Sequence, residues 1–133
     1  MVAQEYRRLD FEILISDDDE DCREAVREAL APRYRTVMAS CGGEAIEIVR
    51  RHFVHVMIVD MNMPDMSGLE TVTIVHRRLA ALVPSILMSA DNSRELRSRA
   101  RAAQCESFVP KPIEIGPLRQ IVEEIIRRHY GDG

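Results

Sequence analysis

The sequence alternates short, mostly apolar runs with longer segments whose apolar residues recur at helical spacing. Such runs have the length of buried strands, and there are five of them: Phe11–Ser16, Arg35–Ala39, Val54–Val59, Pro84–Ser89 and Ser107–Val109. Strands that are apolar on both faces, each followed by a helix, predict a parallel sheet covered by helices on both sides. Right-handed crossovers then give an α/β, doubly wound fold.

Five helices are expected between and after these strands. The first apolar stripe lies in Asp21–Ala31 and ends before Pro32. The second lies in Glu44–His52, after two glycines, Gly42 and Gly43, that are expected to interrupt regular structure. The third begins at a capping box formed by Ser67 and Glu70 and runs to Leu82. Asn92 or Ser93 caps the fourth, which reaches Ala103. The fifth is striped from Leu118 to Ile126, with Pro117 near its first turn. The segments Met1–Asp10 and His129–Gly133 are expected to fray.

Length and composition narrow the class of protein. The chain has 133 residues, 46% of them hydrophobic and 30% charged, which predicts a single globular domain over 1–133 with its core at about 11–129. The net charge of −4 disfavours direct nucleic-acid binding. No apolar run is long enough to span a membrane, and the first residues lack the apolar core of a signal peptide. We therefore expect a cytoplasmic protein.

The cysteines and histidines are expected to be structural. The three cysteines show no C-x-x-C spacing, which favours reduced thiols over a redox or metal site. The four histidines are scattered without ligand spacing.

Charged and polar side chains follow the strands at the edge where parallel strands end. The acidic run Asp17–Asp21 comes directly after the first strand, and Asp60 follows the third, with Asn62 two residues further on. Ser89 ends the fourth strand, and Lys111 follows the fifth. Ligands of doubly wound sheets bind at this edge, so we expect these groups to share one site.

This collection of side chains suits phosphoryl transfer. Crowded carboxylates raise one another's pKa, so their cluster is costly without a cation. Hard oxygen ligands suit Mg²⁺, or Mn²⁺ in its place, with a phosphate as co-ligand. Lys111 and Ser89 would stabilise phosphoryl oxygens during an in-line transfer. A carboxylate beside the cation can serve as the nucleophile and form an acyl phosphate.

Four segments resemble, in order, the signature segments of response-regulator receiver domains of two-component systems. They are ILISDDDEDCREA, VMIVDMNMPDMSGLE, PSILMSA and SFVPKP, and the similarity extends from about Glu12 to Arg127. The resemblance implies a flavodoxin-like five-stranded parallel sheet in the order 2-1-3-4-5 with five helices. No output domain is recognised in this chain, which is similar in this respect to single-domain, chemotaxis-type regulators.

The resemblance also assigns the chemistry. It makes Asp60 the phosphoacceptor. It assigns Mg²⁺ binding to Asp18, Asp60 and the backbone carbonyl of Asn62, with Asp17 acting through a water molecule. Lys111 is the lysine that contacts the phosphoryl group. The protein is then a signalling domain that catalyses its own aspartyl phosphorylation and dephosphorylation, not an enzyme acting on a separate substrate.

Further residues receive roles in switching. The resemblance makes Ser89 the switch hydroxyl and Phe108 the aromatic residue that changes rotamer with it. It implies a cis peptide bond between Lys111 and Pro112. Asn62 and Asp91 flank the path of the attacking water and are candidates for setting the lifetime of the phosphorylated state.

The resemblance implies two kinds of partner. A sensor histidine kinase or a phosphotransfer protein donates the phosphoryl group, and a downstream effector reads the face formed by helix 4, strand 5 and helix 5. The fourth helix is rich in arginine, which we interpret as a solvated face that contacts an acidic partner, in preference to a nucleic-acid site. These arginines are Arg94, Arg97, Arg99 and Arg101.

Three residues depart from the family pattern. Ser16 stands where an apolar residue usually precedes the acidic pair. Gln104 stands where a glycine is usual, so a left-handed residue is expected there. Pro110 removes one backbone donor before Lys111.

Two other classes of protein remain open from the residues alone. Asp17, Asp19, Asp21 and Glu28 have EF-hand spacing, but Cys22 replaces the glycine that such a loop needs. Asp19, Glu20 and Asp21 are better explained as charges at a helix N-terminus. The second alternative is a receiver fold that acts only as an interaction module, which the retained acidic cluster disfavours.

Overall fold

The computed structural model describes residues 10–79 and 82–131. The described residues form five strands: β1 Glu12–Ser16, β2 Arg35–Ala39, β3 Val56–Asp60, β4 Ser85–Ser89 and β5 Ser107–Pro110. They also form five helices: α1 Glu20–Leu30, α2 Gly42–Arg51, α3 Gly68–Arg78, α4 Arg94–Ala102 and α5 Ile115–Tyr130. Strands and helices alternate along the chain, as the apolar runs predicted.

All five strands pair in parallel, in the order β2-β1-β3-β4-β5. This confirms the predicted α/β architecture and strand order. The order reverses between β1 and β3, where Ser16 is in register with Val59. In such sheets a crevice opens beyond the carboxyl ends of the strands at the reversal point. The sheet therefore places the residues after Ser16 and Val59 side by side at this crevice.

Successive strand residues pack against opposite layers, because side chains alternate across a strand. In β1, Ile13 and Ile15 join the core shared with α1 and α5, whereas Leu14 joins the core shared with α2 and α3. All three side chains are fully buried. Both faces of the sheet are covered, so the central strands have to be apolar throughout.

Local signals at two helix starts are confirmed. Ser67 and Glu70 form the predicted capping box of α3. Ser93, not Asn92, caps α4, and its side chain accepts a hydrogen bond from the Leu96 amide. Each cap satisfies a backbone donor that has no partner within the first helical turn.

Helix α3 is shorter than predicted. It ends at Arg78, with Leu79 as its C-cap, whereas the apolar stripe suggested a helix through Leu82. Leu82 is instead 79% exposed. The stripe was misleading because Leu82 continues the helical spacing without continuing the buried face.

Two further boundaries differ from the predictions. Gly42 and Gly43 form the first turn of α2 and do not break the chain before it. Helix α5 continues to Tyr130, so His129 and Tyr130 are helical and not frayed as expected. The expected fraying of residues 1–9, 132 and 133 lies outside the described residues.

The unusual residues around β5 have structural explanations. Gln104 has a φ of 65°, the left-handed conformation expected at this turn. Pro110 ends β5, an edge strand in the described sheet, where a missing backbone donor is tolerated. Within residues 10–79 and 82–131, no helix combines the length and apolar character needed to cross a membrane.

Candidate functional site

Asp17 and Asp60 lie next to each other because the strands that precede them are paired. Asp17 follows Ser16 at the end of β1, and Asp60 ends β3. Both are buried, Asp17 completely and Asp60 with 5% of its surface exposed. The Asp17 amide donates to the Ala39 carbonyl of β2 at 3.1 Å, which fixes the backbone at this position. Two buried carboxylates at one sheet edge require a positive partner.

Lys111 is that partner. Its Nζ lies 2.8 Å from Asp60 Oδ1 and 2.9 Å from Asp17 Oδ2. The backbone of Lys111 is fixed because its amide donates to the Ser89 carbonyl at 2.9 Å. The Lys111–Pro112 peptide bond is cis. The ammonium group reaches the two carboxylates, although Lys111 follows β5, which is an outer strand of the described sheet.

Asp18 completes a group of three carboxylates. One oxygen from each of Asp17, Asp18 and Asp60 lies within 4.8 Å of the other two. Asp18 is exposed, whereas the other two are buried. Three convergent carboxylate oxygens, with one side open to solvent, are the donor set that suits Mg²⁺, which retains several water ligands. The residues present therefore fit the divalent cation that the sequence predicted.

The pKa values in this cluster reflect burial and mutual repulsion. Burial raises the pKa of Asp60, and the Asp17 carboxylate raises it further, while Lys111 and the Asn62 amide act in the opposite direction. Burial by itself lowers the pKa of Lys111, but its bonds to Asp60 and Asp17 outweigh this effect and raise it. Lys111 therefore stays protonated, whereas the charged form of Asp60 is disfavoured and a bound cation would stabilise it.

Gly68 allows helix α3 to begin against the backbone of Asp60. A Cβ at this glycine would lie 2.5 Å from the Asp60 carbonyl oxygen and 2.8 Å from Leu87 Cδ1. The Gly68 amide donates to Met61 at 2.8 Å and closes the loop of residues 61–67. We call this segment, which carries Asn62, the β3–α3 loop. The glycine is required here by close approach, not by its backbone conformation.

Ser89 is buried at the end of β4, beside the end of β3. Its Oγ accepts a hydrogen bond from the Asp91 amide at 3.0 Å. The Asp91 carboxylate accepts in turn from the Ser93 amide at 3.0 Å, next to the N-terminus of α4. A chain of hydrogen bonds thus connects the end of the central sheet to the start of α4.

Phe108 is half-buried in β5 and packs against a cluster that includes Leu87 and Leu96. The Arg97 guanidinium carbon lies 4.6 Å from the centroid of the Phe108 ring. The same arginine donates through Nε to Asn92 Oδ1 at 2.6 Å. Arg97 therefore contacts both the loop after β4 and the aromatic residue of β5.

The EF-hand alternative is wrong. Asp19 is the N-cap of α1 and accepts hydrogen bonds from the amides of Asp21 and Cys22. Glu20, Asp21 and Glu28 lie within that helix, so the segment forms no calcium-binding loop. The interpretation of Asp19, Glu20 and Asp21 as charges at a helix N-terminus is confirmed.

Several contacts at the site carried no signal in the sequence. Arg23 donates to the Asp17 carbonyl at 2.6 Å. Ser16 Oγ lies 3.3 Å from the Cys41 carbonyl oxygen and 3.2 Å from Met63 Sδ, which gives the unexplained hydroxyl two neighbours. Asp65 accepts from the backbone amides at the start of α2. The contacts of Ser16 and Asp65 join segments more than 20 residues apart in sequence, so local patterns could not reveal them.

Comparisons with known proteins agree with the geometry. Residues 13–123 match the family described as the response regulator receiver domain. Response regulator MprA of Mycobacterium leprae is 31% identical over 124 residues, which cover 90% of this chain and 53% of that protein. Response regulator RR06 of Streptococcus pneumoniae serotype 2 is 29% identical over 119 residues, with 89% and 54% covered. The chain thus spans about half the length of these two relatives.

Solved structures show the same fold. The chemotaxis protein CheY4 of Vibrio cholerae is 25% identical, with a TM-score of 0.81 over 86% of this chain and 98% of that chain. A CheY-like receiver domain protein from Methanospirillum hungatei has a TM-score of 0.84 at 23% identity, with 92% and 98% covered. The chain belongs to the receiver domain family of two-component response regulators.

Proposed function

We propose that Asp60 accepts a phosphoryl group from a phosphohistidine of a sensor histidine kinase or phosphotransfer protein, in the presence of Mg²⁺ or Mn²⁺. One observation carries the proposal: a buried carboxylate ends a central strand 2.8 Å from a lysine ammonium, within a three-carboxylate cluster. A purely structural buried ion pair would not need the second and third carboxylates, which increase repulsion.

The chemistry is a single displacement at phosphorus. A carboxylate oxygen of Asp60 forms the new O–P bond while the P–N bond of the donor breaks. The imidazole leaves with the bonding electrons and takes a proton from solvent. The product on this chain is an acyl phosphate, so the domain catalyses a covalent step on itself.

The chain's own residues supply orientation and charge. Lys111 is fixed by two ion pairs and would exchange its contact with the Asp60 carboxylate for a phosphoryl oxygen. Asp17, Asp18, Asp60 and the backbone carbonyl of Asn62 would hold the divalent cation, Asp17 through water. When bound, that cation neutralises charge on the phosphoryl oxygens and on the crowded carboxylates.

Phosphorylation would then bias the region around α4. Ser89 Oγ now accepts from the Asp91 amide, and its hydroxyl is free to donate to a phosphoryl oxygen. That new bond would favour one of two arrangements of the loop after β4, with Phe108 changing its packing in step. Asn62 and Asp91 are exposed beside the site and would set the lifetime through access of water.

The effector would bind the face of α4, β5 and α5. The arginines Arg94, Arg97 and Arg101 are exposed at three- and four-residue spacing on α4, so they share a helix face. An acidic partner fits this face, and reversing the charges at Arg97 and Arg101 should weaken its binding without altering phosphorylation. We also propose that residues 1–133 form a single receiver domain that works in the cytoplasm without contacting nucleic acid or membrane.

Intact mass measurement after incubation with acetyl phosphate and Mg²⁺ tests the proposal. We expect the wild-type chain to gain one phosphoryl group and Asp60→Asn to gain none. Asp21→Asn, which removes an exposed carboxylate of α1, is the matched control and should behave as wild type. An undiminished adduct on Asp60→Asn would show another acceptor, and no adduct on wild type would favour an interaction module that is not phosphorylated.

A further inference from the structure

The β3–α3 loop and the start of α2 are joined by one exposed carboxylate. Asp65 Oδ1 accepts from the Gly42 amide at 2.9 Å, and Asp65 Oδ2 accepts from the Gly43 amide at 2.7 Å. These bonds connect residues 22 and 23 positions apart in sequence. Both carboxylate oxygens are used, so the contact restrains the direction of the loop as well as its distance from α2.

Helix α2 depends on this carboxylate for its N-terminal hydrogen bonds. Its N-cap residue is Cys41, whose side chain makes no capping hydrogen bond. The amides of a first helical turn have no partner within the helix and need an acceptor from outside. Asp65 supplies two such bonds from another segment, which a local cap such as Ser67 or Ser93 supplies for its own helix.

The same two segments meet at a second point deeper in the protein. The buried Ser16 Oγ lies within hydrogen-bond distance of both Cys41, directly before α2, and Met63, in the β3–α3 loop. Between the two points the packing is close, because a Cβ at Gly42 would overlap the side chains of Met66 and Thr71. The loop is therefore restrained on its α2 side at two levels, by Ser16 and by Asp65.

We infer that Asp65 is a positioning residue, which holds the β3–α3 loop against α2 so that the Asn62 backbone carbonyl stays directed to the divalent cation. The inference rests on the proposed function, since it concerns the same site. Asp65 contacts neither the cation cluster nor the phosphoryl group; it acts through Met63 and Pro64, the two residues that separate it from Asn62. The hydroxyl of Ser16, which the sequence left unexplained, provides a second, buried attachment of the loop.

The test combines two measurements on the whole chain. The first is the rate of phosphorylation by phosphoramidate as a function of Mg²⁺ concentration. The second is amide hydrogen exchange without Mg²⁺, followed at Gly68, whose amide closes the loop on Met61. The variants are Asp65→Ala, which loses both acceptors, and the milder Asp65→Asn, which keeps one.

A matched control lies in the middle of the same helix. Glu47 is paired with Arg50 and Arg51, and Glu47→Gln removes one negative charge from α2, as Asp65→Asn does from its N-terminus. This control should leave both measurements as in wild type. It separates an effect of charge or of helix stability from an effect of loop position.

We expect Asp65→Ala to raise the Mg²⁺ concentration at half-maximal rate by about threefold or more, the scale of losing ordinary hydrogen bonds. The maximal rate at saturating Mg²⁺ should stay within about twofold, because the reacting groups are intact. Asp65→Asn should give a smaller shift in the same direction, and Gly68 exchange should accelerate in both variants.

A smaller Mg²⁺ shift in Asp65→Ala, or unchanged Gly68 exchange, would overturn the inference. If wild type accepts the phosphoryl group and Asp65→Ala matches it, only the positioning role fails. If wild type accepts none, the proposed function fails and the inference falls with it.

Discussion

The two edges of the sheet carry different kinds of side-chain contact, charged groups at one and packed rings at the other. At the carboxyl edge, which we define by Asp17, Asp60 and Lys111, the lysine ammonium lies within 3 Å of both buried carboxylates. At the amino edge, which we define by Phe11, His55 and Tyr130, three rings pack together, with His55 5.0 Å from each of the other two centroids. The same strands connect the two edges, so their difference comes from side chains and not from the backbone.

The amino edge satisfies its polar groups without net charge. The Glu12 amide donates to His55 Nδ1 at 3.0 Å, and the Tyr130 hydroxyl donates to the His55 carbonyl at 2.8 Å. The carboxyl edge instead keeps like charges together, which weakens the fold unless a cation is present. The carboxyl edge is therefore the part of the domain where charge repulsion lowers stability in favour of the proposed phosphoryl transfer.

Removing the charge of Lys111 should lower the stability of the fold. Lys111→Met leaves two buried carboxylates without a counter-charge, and we expect the free energy of unfolding to fall by about 2 to 3 kcal/mol. Urea unfolding at pH 7 without divalent cations measures this. The control is Arg128→Met, which breaks the exposed Arg128–Glu106 pair and should cost no more than about 0.5 kcal/mol. Equal losses in the two variants would contradict the contrast.

Mg²⁺ should stabilise the fold by binding at the carboxyl edge and not at the amino edge. Ligand bound only to the folded state stabilises it by mass action, so free Mg²⁺ at ten times its Kd should add about 1.4 kcal/mol. Thermal melting with and without Mg²⁺ measures the effect in wild type. Asp18→Asn should reduce the response, whereas His55→Gln, at the amino edge, should respond as wild type. A melting temperature indifferent to millimolar Mg²⁺ would count against the cation site.

Acid should weaken the amino edge through His55. Burial lowers the pKa of His55, and Arg35 lowers it further, while Glu12 acts in the opposite direction. The unfolded chain then binds a proton first as the pH falls below about 6.5. The contribution of neutral His55 is therefore complete above that pH and is lost as the pH falls toward the folded-state pKa.

The size of this effect is bounded by the hydrogen bond to Glu12, which protonation of Nδ1 removes. We expect wild type to lose up to about 1 kcal/mol more than His55→Gln between pH 7.5 and 5.5. Urea unfolding across this range compares the two slopes. Parallel slopes would mean that His55 does not titrate differently on folding.

The turn before β5 should yield a small gain. Gln104 is held at a φ of 65°, which glycine adopts without strain. We expect Gln104→Gly to raise the free energy of unfolding by about 0.5 to 1 kcal/mol, measured in urea. The neighbouring Ala103 has a φ of −83°, so Ala103→Gly should lower it. A loss in both variants would show that Gln104 contributes contacts that outweigh its backbone strain.

The sequence was sufficient for the features that repeat locally. Apolar runs located every strand, and their order along the chain placed Asp17, Asp60 and Lys111 at one edge. The capping box at Ser67 is likewise a pattern within four residues. The similarity of four segments to receiver domains then supplied the strand order, which periodicity alone does not determine.

The remaining features depend on contacts between distant segments. The capping role of Asp65 can be recognised only when the β3–α3 loop is seen to lie on α2. The role of Ser16 likewise depends on its contacts with Cys41 and Met63. Leu82 continued a helical pattern but not a buried face, which a pattern cannot distinguish. Such contacts are set by tertiary packing, so they became visible only in the folded arrangement.

Locating the modified residue decides whether Asp60 is the phosphoacceptor. An aspartyl phosphate is an acyl phosphate, which borohydride reduces to the alcohol of homoserine, and peptide mass spectrometry then reads its position. After incubation with acetyl phosphate and Mg²⁺, we expect homoserine at position 60. Reduction at a different carboxylate, or a stable adduct that yields no homoserine, would contradict it.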